Sequence, residues 1–288
     1  VLVPALFDAL VDELFDRLAT KGIVDPGCRR GPPAELAASL SGMDPPALAR
    51  VRDAVRMELG PSFRTVVIGG AAASPAWADV LTAVGIDLDL GYGLTEAGPV
   101  VALGRAAECP PGSVGRPLPG VRVRIADDGE VLVSSDAIMQ GYAGDASATA
   151  RAFEGRWLRT GDRGRLDDDG FLFITGRLKD AMVTSSGETI YPDEIEPWYS
   201  SPLFAELAVV PLPGPDGNDR PVLVVVPSDP SSGIVTMKRA MAALRAAAPA
   251  RLRVAGVVSR AEPLPRTAVG KIRRQALAAG CQAHEVCS

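Results

Sequence analysis

An α/β fold in two parts is what this chain of 288 residues predicts: a parallel sheet joined to a small antiparallel portion, then a compact α+β unit. Three observations predict it. Strand, helix and strand follow one another between residues 65 and 90, the order that builds a parallel sheet with covered faces. Apolar residues then alternate with period two from Val121 to Val133, as in an antiparallel hairpin. Past Arg177 the pattern changes to short strands and helices over roughly 110 residues, enough for a unit with its own core.

Taken in order, the chain opens on a helix whose face carries Leu6, Phe7, Leu10, Val11, Leu14, Phe15 and Leu18. A Pro- and Gly-rich break from Asp25 to Pro33 follows, then a helix from Ala47 to Leu59 stopped by Gly60 and Pro61. Thr65 to Ile68 is an unbroken β-branched strand running into Gly69 and Gly70. A helix over 75–84 leads to a second apolar strand over 86–90. Val121, Val123 and Ile125 alternate up to the turn Asp127-Asp128-Gly129, and Val131 and Val133 return. Another hairpin turns at Asp167-Asp168-Asp169-Gly170, with its second strand over 171–175. The last part reads as a helix after Pro192, strands over 208–210 and 222–226, a helix over 237–247, a strand over 254–258 and a helix from Ile272. Leu178 and Lys179 mark the boundary, giving domains 1–177 and 178–288.

Composition excludes several functions. Thirty basic and thirty-five acidic residues give a net charge of −5, spread along the chain, so there is no footprint for a nucleic acid. No apolar run approaches the 18 or so residues of a membrane span. Asp8, Asp12 and Glu13 stand where a secretion signal carries basic residues, which predicts a cytoplasmic protein. The single histidine, His284, excludes a Ser/His/Asp triad and a multi-histidine metal site. Cys28, Cys109, Cys281 and Cys287 lack metal or redox spacing and are expected to be free thiols. The chain begins with valine inside a helix pattern, so a piece of something longer is expected.

Chemistry concentrates at Gly91-Tyr92-Gly93-Leu94-Thr95-Glu96, directly after a predicted parallel strand, where sheets of this kind bind ligands. Gly91 and Gly93 let backbone approach a ligand, Tyr92 offers a flat face for a base, Thr95 a hydroxyl for a phosphate, and Glu96 a hard oxygen for Mg²⁺. A plain turn would also carry these residues.

Further segments follow in order: Arg159-Thr160-Gly161-Asp162, Gly176-Arg177-Leu178-Lys179-Asp180, Ile190 to Glu196, and Pro265-Arg266-Thr267-Ala268-Val269-Gly270-Lys271. Together they resemble the adenylate-forming, AMP-binding ligases: acyl-CoA synthetases, peptide-synthetase adenylation domains and luciferases. The match runs from about Val66 to Leu277. The resemblance implies that a large AMP-binding domain is represented by its C-terminal portion, 1–177, followed by a small mobile lid, 178–288. It implies ATP-dependent activation of a carboxylic acid as acyl-adenylate, then transfer to a thiol, either CoA or a carrier protein's phosphopantetheine. Both steps gather negative charge, which a placed cation stabilises.

The same resemblance makes Lys271 the catalytic lysine and assigns Thr95 and Glu96 to the reaction, Glu96 as the Mg²⁺ ligand. Asp162 corresponds to the acceptor for both ribose hydroxyls, and Arg177 to a second ribose and phosphate contact; a turn residue and a plain salt bridge are the alternatives. Gly69-Gly70-Ala71 corresponds to the stretch that lines the acyl and adenine pockets, with a bare strand-ending turn as the alternative, and Gly91, Tyr92 and Gly93 are counted with Gly70 and Ala71 as nucleotide-binding residues. Lys179 is the hinge, and Ser186 and Gly187 line the thiol tunnel. The segment Gly115 to Gly120 and the GYGLTE form look most like long-chain fatty acyl-CoA synthetases, which implies fatty acid metabolism.

The resemblance has one gap. The family's Ser/Thr/Gly-rich phosphate loop ending in Pro-Lys-Gly is absent from these residues. Two readings follow: a fragment or split ligase that needs the missing N-terminal half or a second chain, and a non-catalytic module that binds a nucleotide or a partner.

Overall fold

The computed structural model describes residues 4–25, 33–70, 76–214, 217–229, 234–267 and 271–281. They form two compact units. The first comprises 1–160 and 164–174, the second 161–163 and 175–288.

The first unit opens with α1 (Pro4–Thr20), α2 (Pro33–Ser41) and α3 (Pro45–Leu59), joined by α4 (Ala76–Ala83). Phe7, Val11, Phe15 and Leu18 bury the expected face of α1, with Phe7 edge-on to Trp77 at 5.0 Å. Leu10 departs from the expectation and stands half exposed, because it lies at the edge of the stripe. α2 was not expected from the Pro-rich break. Its Leu36, Ala37 and Leu40 keep helical spacing and are all buried, so packing, with Pro33 tolerated in the first turn, holds a short alanine-rich helix. α3 starts where Asp44 accepts a hydrogen bond from the Ala47 amide at 2.6 Å, and stops at Gly60 with φ +96°.

These helices share a core with β1 (Thr65–Gly69) and β2 (Asp87–Tyr92), which are parallel in the register Thr65 to Asp87 through Gly69 to Gly91. The sheet continues with β3 (Ala102–Arg105) and β4 (Arg116–Pro117). Both added pairings are antiparallel, so the expected parallel sheet is parallel only at β1 and β2. The cause is the short reversal after Tyr92: nine residues return the chain beside β2, whereas a parallel neighbour needs a longer crossover.

The antiparallel portion contains β5 (Arg122–Ile125), β6 (Glu130–Ser134), α5 (Ala146–Ala152), β7 (Phe153–Glu154), β8 (Trp157–Leu166) and β9 (Leu172–Arg177). The strand order is β5, β6, β8, β7, with β9 also on β8. Val123 faces Val133 across the expected hairpin, whose turn needs Gly129 at φ +84°. Val131, Val133, Leu158 and Leu172 form its core together with Tyr92 and Val101.

The second unit holds β10 (Met182–Val183), β11 (Thr189–Ile190), α6 (Pro192–Ile195), β12 (Phe204–Pro213), β13 (Asp219–Pro227), α7 (Ile234–Ala247), β14 (Gly256–Ser259) and α8 (Arg274–Gly280). β12 and β13 are antiparallel, and β14 joins β13 in parallel. Strand alternation divides the apolar residues between two faces. Val209, Leu223 and Val225 pack with Ile195, Tyr199 and Met241, while Val210, Val222 and Val224 pack with Leu264 and Leu277. Among the described residues, no helix is long and apolar enough to cross a membrane, and Cys109 is a free thiol.

Candidate active site

In the first unit, β1 and β2 end side by side at Gly69 and Gly91, so Gly70 and the Gly91 to Glu96 segment leave the same edge of the sheet. Gly70 is exposed with φ +87°, while Ala71 lies outside the described residues. Tyr92 is buried in the antiparallel core, and its carbonyl accepts from the Val101 amide at 2.8 Å. Gly93 is fixed by its own chain. A Cβ there would overlap the Pro99 carbonyl and come within 2.9 Å of Val100 Cα. The space expected for a ligand beside Gly93 is occupied by the returning backbone.

Thr95 to Ala97 form a 3₁₀ turn with Thr95 exposed, closed by Gly98 at φ +80°. The carbonyl of Glu96 accepts from the Met139 amide at 2.8 Å, and its Oε1 accepts from the Tyr142 hydroxyl at 3.1 Å. Tyr142 was not singled out from the sequence. Forty-six positions separate the two residues, and nothing local pairs them.

The second unit gathers the charged candidates. Asp162 is buried, and its Oδ1 accepts from Arg177 Nε at 3.0 Å. Gly161, at φ +69° with open space around it, makes the bend that precedes this carboxylate. The Lys271 ammonium is half-buried in their field: burial holds its pKa below the ordinary lysine value, Arg177 and Lys179 push the same way, and Asp162 opposes them. Two hydrogen bonds join Thr267 to Lys271. The Thr267 amide donates to the Lys271 carbonyl at 2.8 Å, and Thr267 Oγ1 accepts from the Lys271 amide at 3.2 Å.

Arg274 meets Glu196 at 2.7 Å and Asp193 at 3.7 Å. Burial raises the pKa of both carboxyls, and Arg274 opposes the shift in each. Gly176 has no side chain where Asp193 Oδ2 would lie 2.9 Å from a Cβ. Arg163 reaches Glu194 at 3.1 Å and stacks over Tyr191, tying the 161–163 stretch to α6. Lys179 is exposed in a 3₁₀ turn over Leu178–Asp180. Ser186 and Gly187 form the exposed tip between β10 and β11, where Ser186 Oγ lies 2.9 Å from Thr184 Oγ1 and Gly187 takes φ +76°. Among the described residues no three His, Cys, Asp or Glu side chains converge as a metal cage.

Comparison with known proteins agrees with this architecture. The AMP-binding enzyme family model matches residues 1–143. A long-chain-fatty-acid–CoA ligase of Mycobacterium bovis, FadD15, is 39% identical over 157 residues, covering 54% of this chain and 26% of that protein. A 2-succinylbenzoate–CoA ligase of Listeria innocua is 36% identical over 226 residues, covering 75% of this chain and 46% of its own length. The chain thus spans about half or less of the relatives it matches. The solved o-succinylbenzoate CoA synthetase MenE of Bacillus subtilis, in complex with its acyl-adenylate intermediate, superposes with a TM-score of 0.68 at 25% identity, over 82% of this chain and 51% of that one. A mixed α/β layer, an antiparallel half-barrel and a small α+β unit in this order define the fold of the adenylate-forming enzymes. The chain belongs to that family, the AMP-binding ligase superfamily.

Proposed function

We propose that this chain is the second part of an acid–thiol ligase, which joins a carboxylate to ATP and passes the acyl group to a thiol such as CoA. In the first step a carboxylate oxygen attacks the α-phosphorus and the bond to pyrophosphate breaks. In the second, a thiolate attacks the acyl carbon and AMP leaves. The observation that carries this reading is the Lys271 ammonium, half-buried in the field of Asp162 and Arg177. A cation withdrawn from water acts more strongly on two anions forced together than one in bulk solvent.

Each remaining candidate has a role within this reading. Asp162 accepts from the ribose hydroxyls with its two oxygens, and Arg177 adds a ribose and phosphate contact. Thr95, exposed on its 3₁₀ turn, donates to a phosphate oxygen. Gly70 and Gly91, at the ends of β1 and β2, border the adenine and acyl side, and Tyr92 and Gly93 shape the turn that carries Thr95 and Glu96. Mg²⁺ neutralises the phosphate oxygens when bound; a lone Glu96 carboxylate suits it, because this ion is held by one or two carboxylates plus substrate phosphates. Residues 1–177 belong to the nucleotide-binding domain and 178–288 to a lid that turns at Lys179, bringing the Ser186 to Gly187 tip to the thiol. The identity to a long-chain-fatty-acid–CoA ligase favours a fatty acid as substrate.

These 288 residues carry no phosphate loop, and in this reading an N-terminal half or a second chain supplies it. Pyrophosphate exchange against a panel of carboxylic acids tests this. Exchange is expected when an N-terminal half from a related ligase is added, and fatty acids should give the fastest rates. AMP binding without exchange in any mixture would instead identify a non-catalytic nucleotide-binding module.

A further inference from the structure

Tyr142, which hydrogen-bonds Glu96, lies outside every motif used above. Tyr142 sits in a loop that pins the turn carrying Glu96 from three directions. The Met139 amide donates to the Glu96 carbonyl at 2.8 Å, the Tyr142 hydroxyl donates to Glu96 Oε1 at 3.1 Å, and Gly98 has no Cβ where Ala137 O would lie at 2.5 Å. Tyr142 is 43% exposed, so burial of its ring does not account for its position. Its backbone is held instead. Thr149 Oγ1 accepts from the Tyr142 amide at 2.9 Å and donates to the Asp145 carbonyl at 2.9 Å. Asp145 caps α5 through the Ala148 amide at 2.8 Å. Gly141, at φ +153°, lets the chain pass Thr149, whose Cγ2 would be 2.7 Å from a Cβ.

A carboxylate on a flexible stem samples several rotamers, and a donor on one oxygen selects among them while leaving the other oxygen available. We propose that Tyr142 is a positioning residue: its hydroxyl, delivered by the Ala137 to Thr149 loop, fixes the Glu96 carboxylate for a nucleotide-bound divalent cation. This rests on the role given to Glu96 in the proposed function. Outer partners of metal-bound carboxylates commonly change metal affinity 10- to 100-fold when removed. An exposed site lies at the lower end of that range.

The test is Mn²⁺ binding, followed by electron paramagnetic resonance, to the 288-residue chain saturated with a non-hydrolysable ATP analogue. Tyr142→Phe should weaken Mn²⁺ about tenfold, with nucleotide affinity in the presence of EDTA unchanged. Its melting temperature should stay within about 2 °C, since an exposed hydroxyl contributes little to stability. Thr149→Val, which loosens the loop and leaves the phenol in place, should weaken Mn²⁺ in the same direction by about threefold. Unchanged Mn²⁺ affinity in Tyr142→Phe beside a clear loss in Glu96→Gln would overturn the positioning role and leave the role of Glu96 standing. Unchanged affinity in Glu96→Gln as well would remove the metal role itself, and the present proposal with it.

Discussion

The turn from Gly91 to Gly98 and the Asp162, Arg177 and Lys271 cluster are built from opposite materials. In the first, shape is set by missing side chains: Gly93 clears the Pro99 carbonyl and Gly98 clears Ala137, while one carboxylate is steadied by a neutral phenol. In the second, three charged groups are held together with partial loss of water, and burial first, then the field of its neighbours, lowers the pKa of Lys271. Steric construction fails by unfolding, since a packed backbone has no room to yield. Electrostatic construction fails in reactivity first, because exchanging a charge for a neutral group of similar size leaves packing intact.

That contrast can be broken by substitution, and the largest effect should come from Lys271. In the reconstituted ligase, Lys271→Ala should lower pyrophosphate exchange about 10²- to 10³-fold, the usual loss on removing one group that stabilises developing charge. Its urea midpoint should hold or rise, since a half-buried cation is removed. A fall in exchange of less than tenfold would take catalysis away from this residue.

Gly93→Ala should behave in the opposite way, costing about 3 kcal/mol of stability by urea denaturation through overlap with Pro99. Gly161→Ala, strained only by its positive φ, should cost about 1 kcal/mol. Equal losses at the two glycines would show that close approach does not decide the first. Asp162→Asn comes next, at about 1 kcal/mol, because its partner Arg177 is 39% exposed and solvent screens the pair. Calorimetric AMP binding should weaken in the same variant.

The smallest effect is a displaced pH limb. In the proposed reaction Lys271 acts as a cation, and its folded pKa lies below the usual lysine value, so exchange should fall as pH rises through that lowered value. Asp162 is the group that raises it. Asp162→Asn should therefore move the alkaline limb to lower pH, and a limb that stays in place would separate the two residues. The sign for stability is the reverse: the unfolded chain holds this proton to higher pH, so stability rises with pH across the same window.

The split between legible and hidden parts follows sequence distance. The parallel pair β1 and β2 and the β5 to β6 hairpin were readable, because β-branched runs and a Gly129 turn act within a few residues. α2 was hidden by the prolines before it and by alanines that carry little periodic signal. β3 was hidden because Ala102 to Arg105 alternates too weakly to mark a strand, yet its pairing makes the first sheet mixed. In the site, Thr95, Glu96, Asp162 and Lys271 stood out through the order of their motifs. The Arg274 pair with Glu196 spans 78 positions and carries no spacing signal.

The sequence by itself determined which charged and small residues exist and where the chain must turn, since backbone preferences and hydrophobic period are local properties. Only the tertiary structure decided that Gly93 serves its own backbone, that Lys271 sits half-buried in the field of Asp162 and Arg177, and that Tyr142 holds Glu96. Those outcomes depend on distances across the fold and on exclusion of water, which arise only once remote segments have packed together.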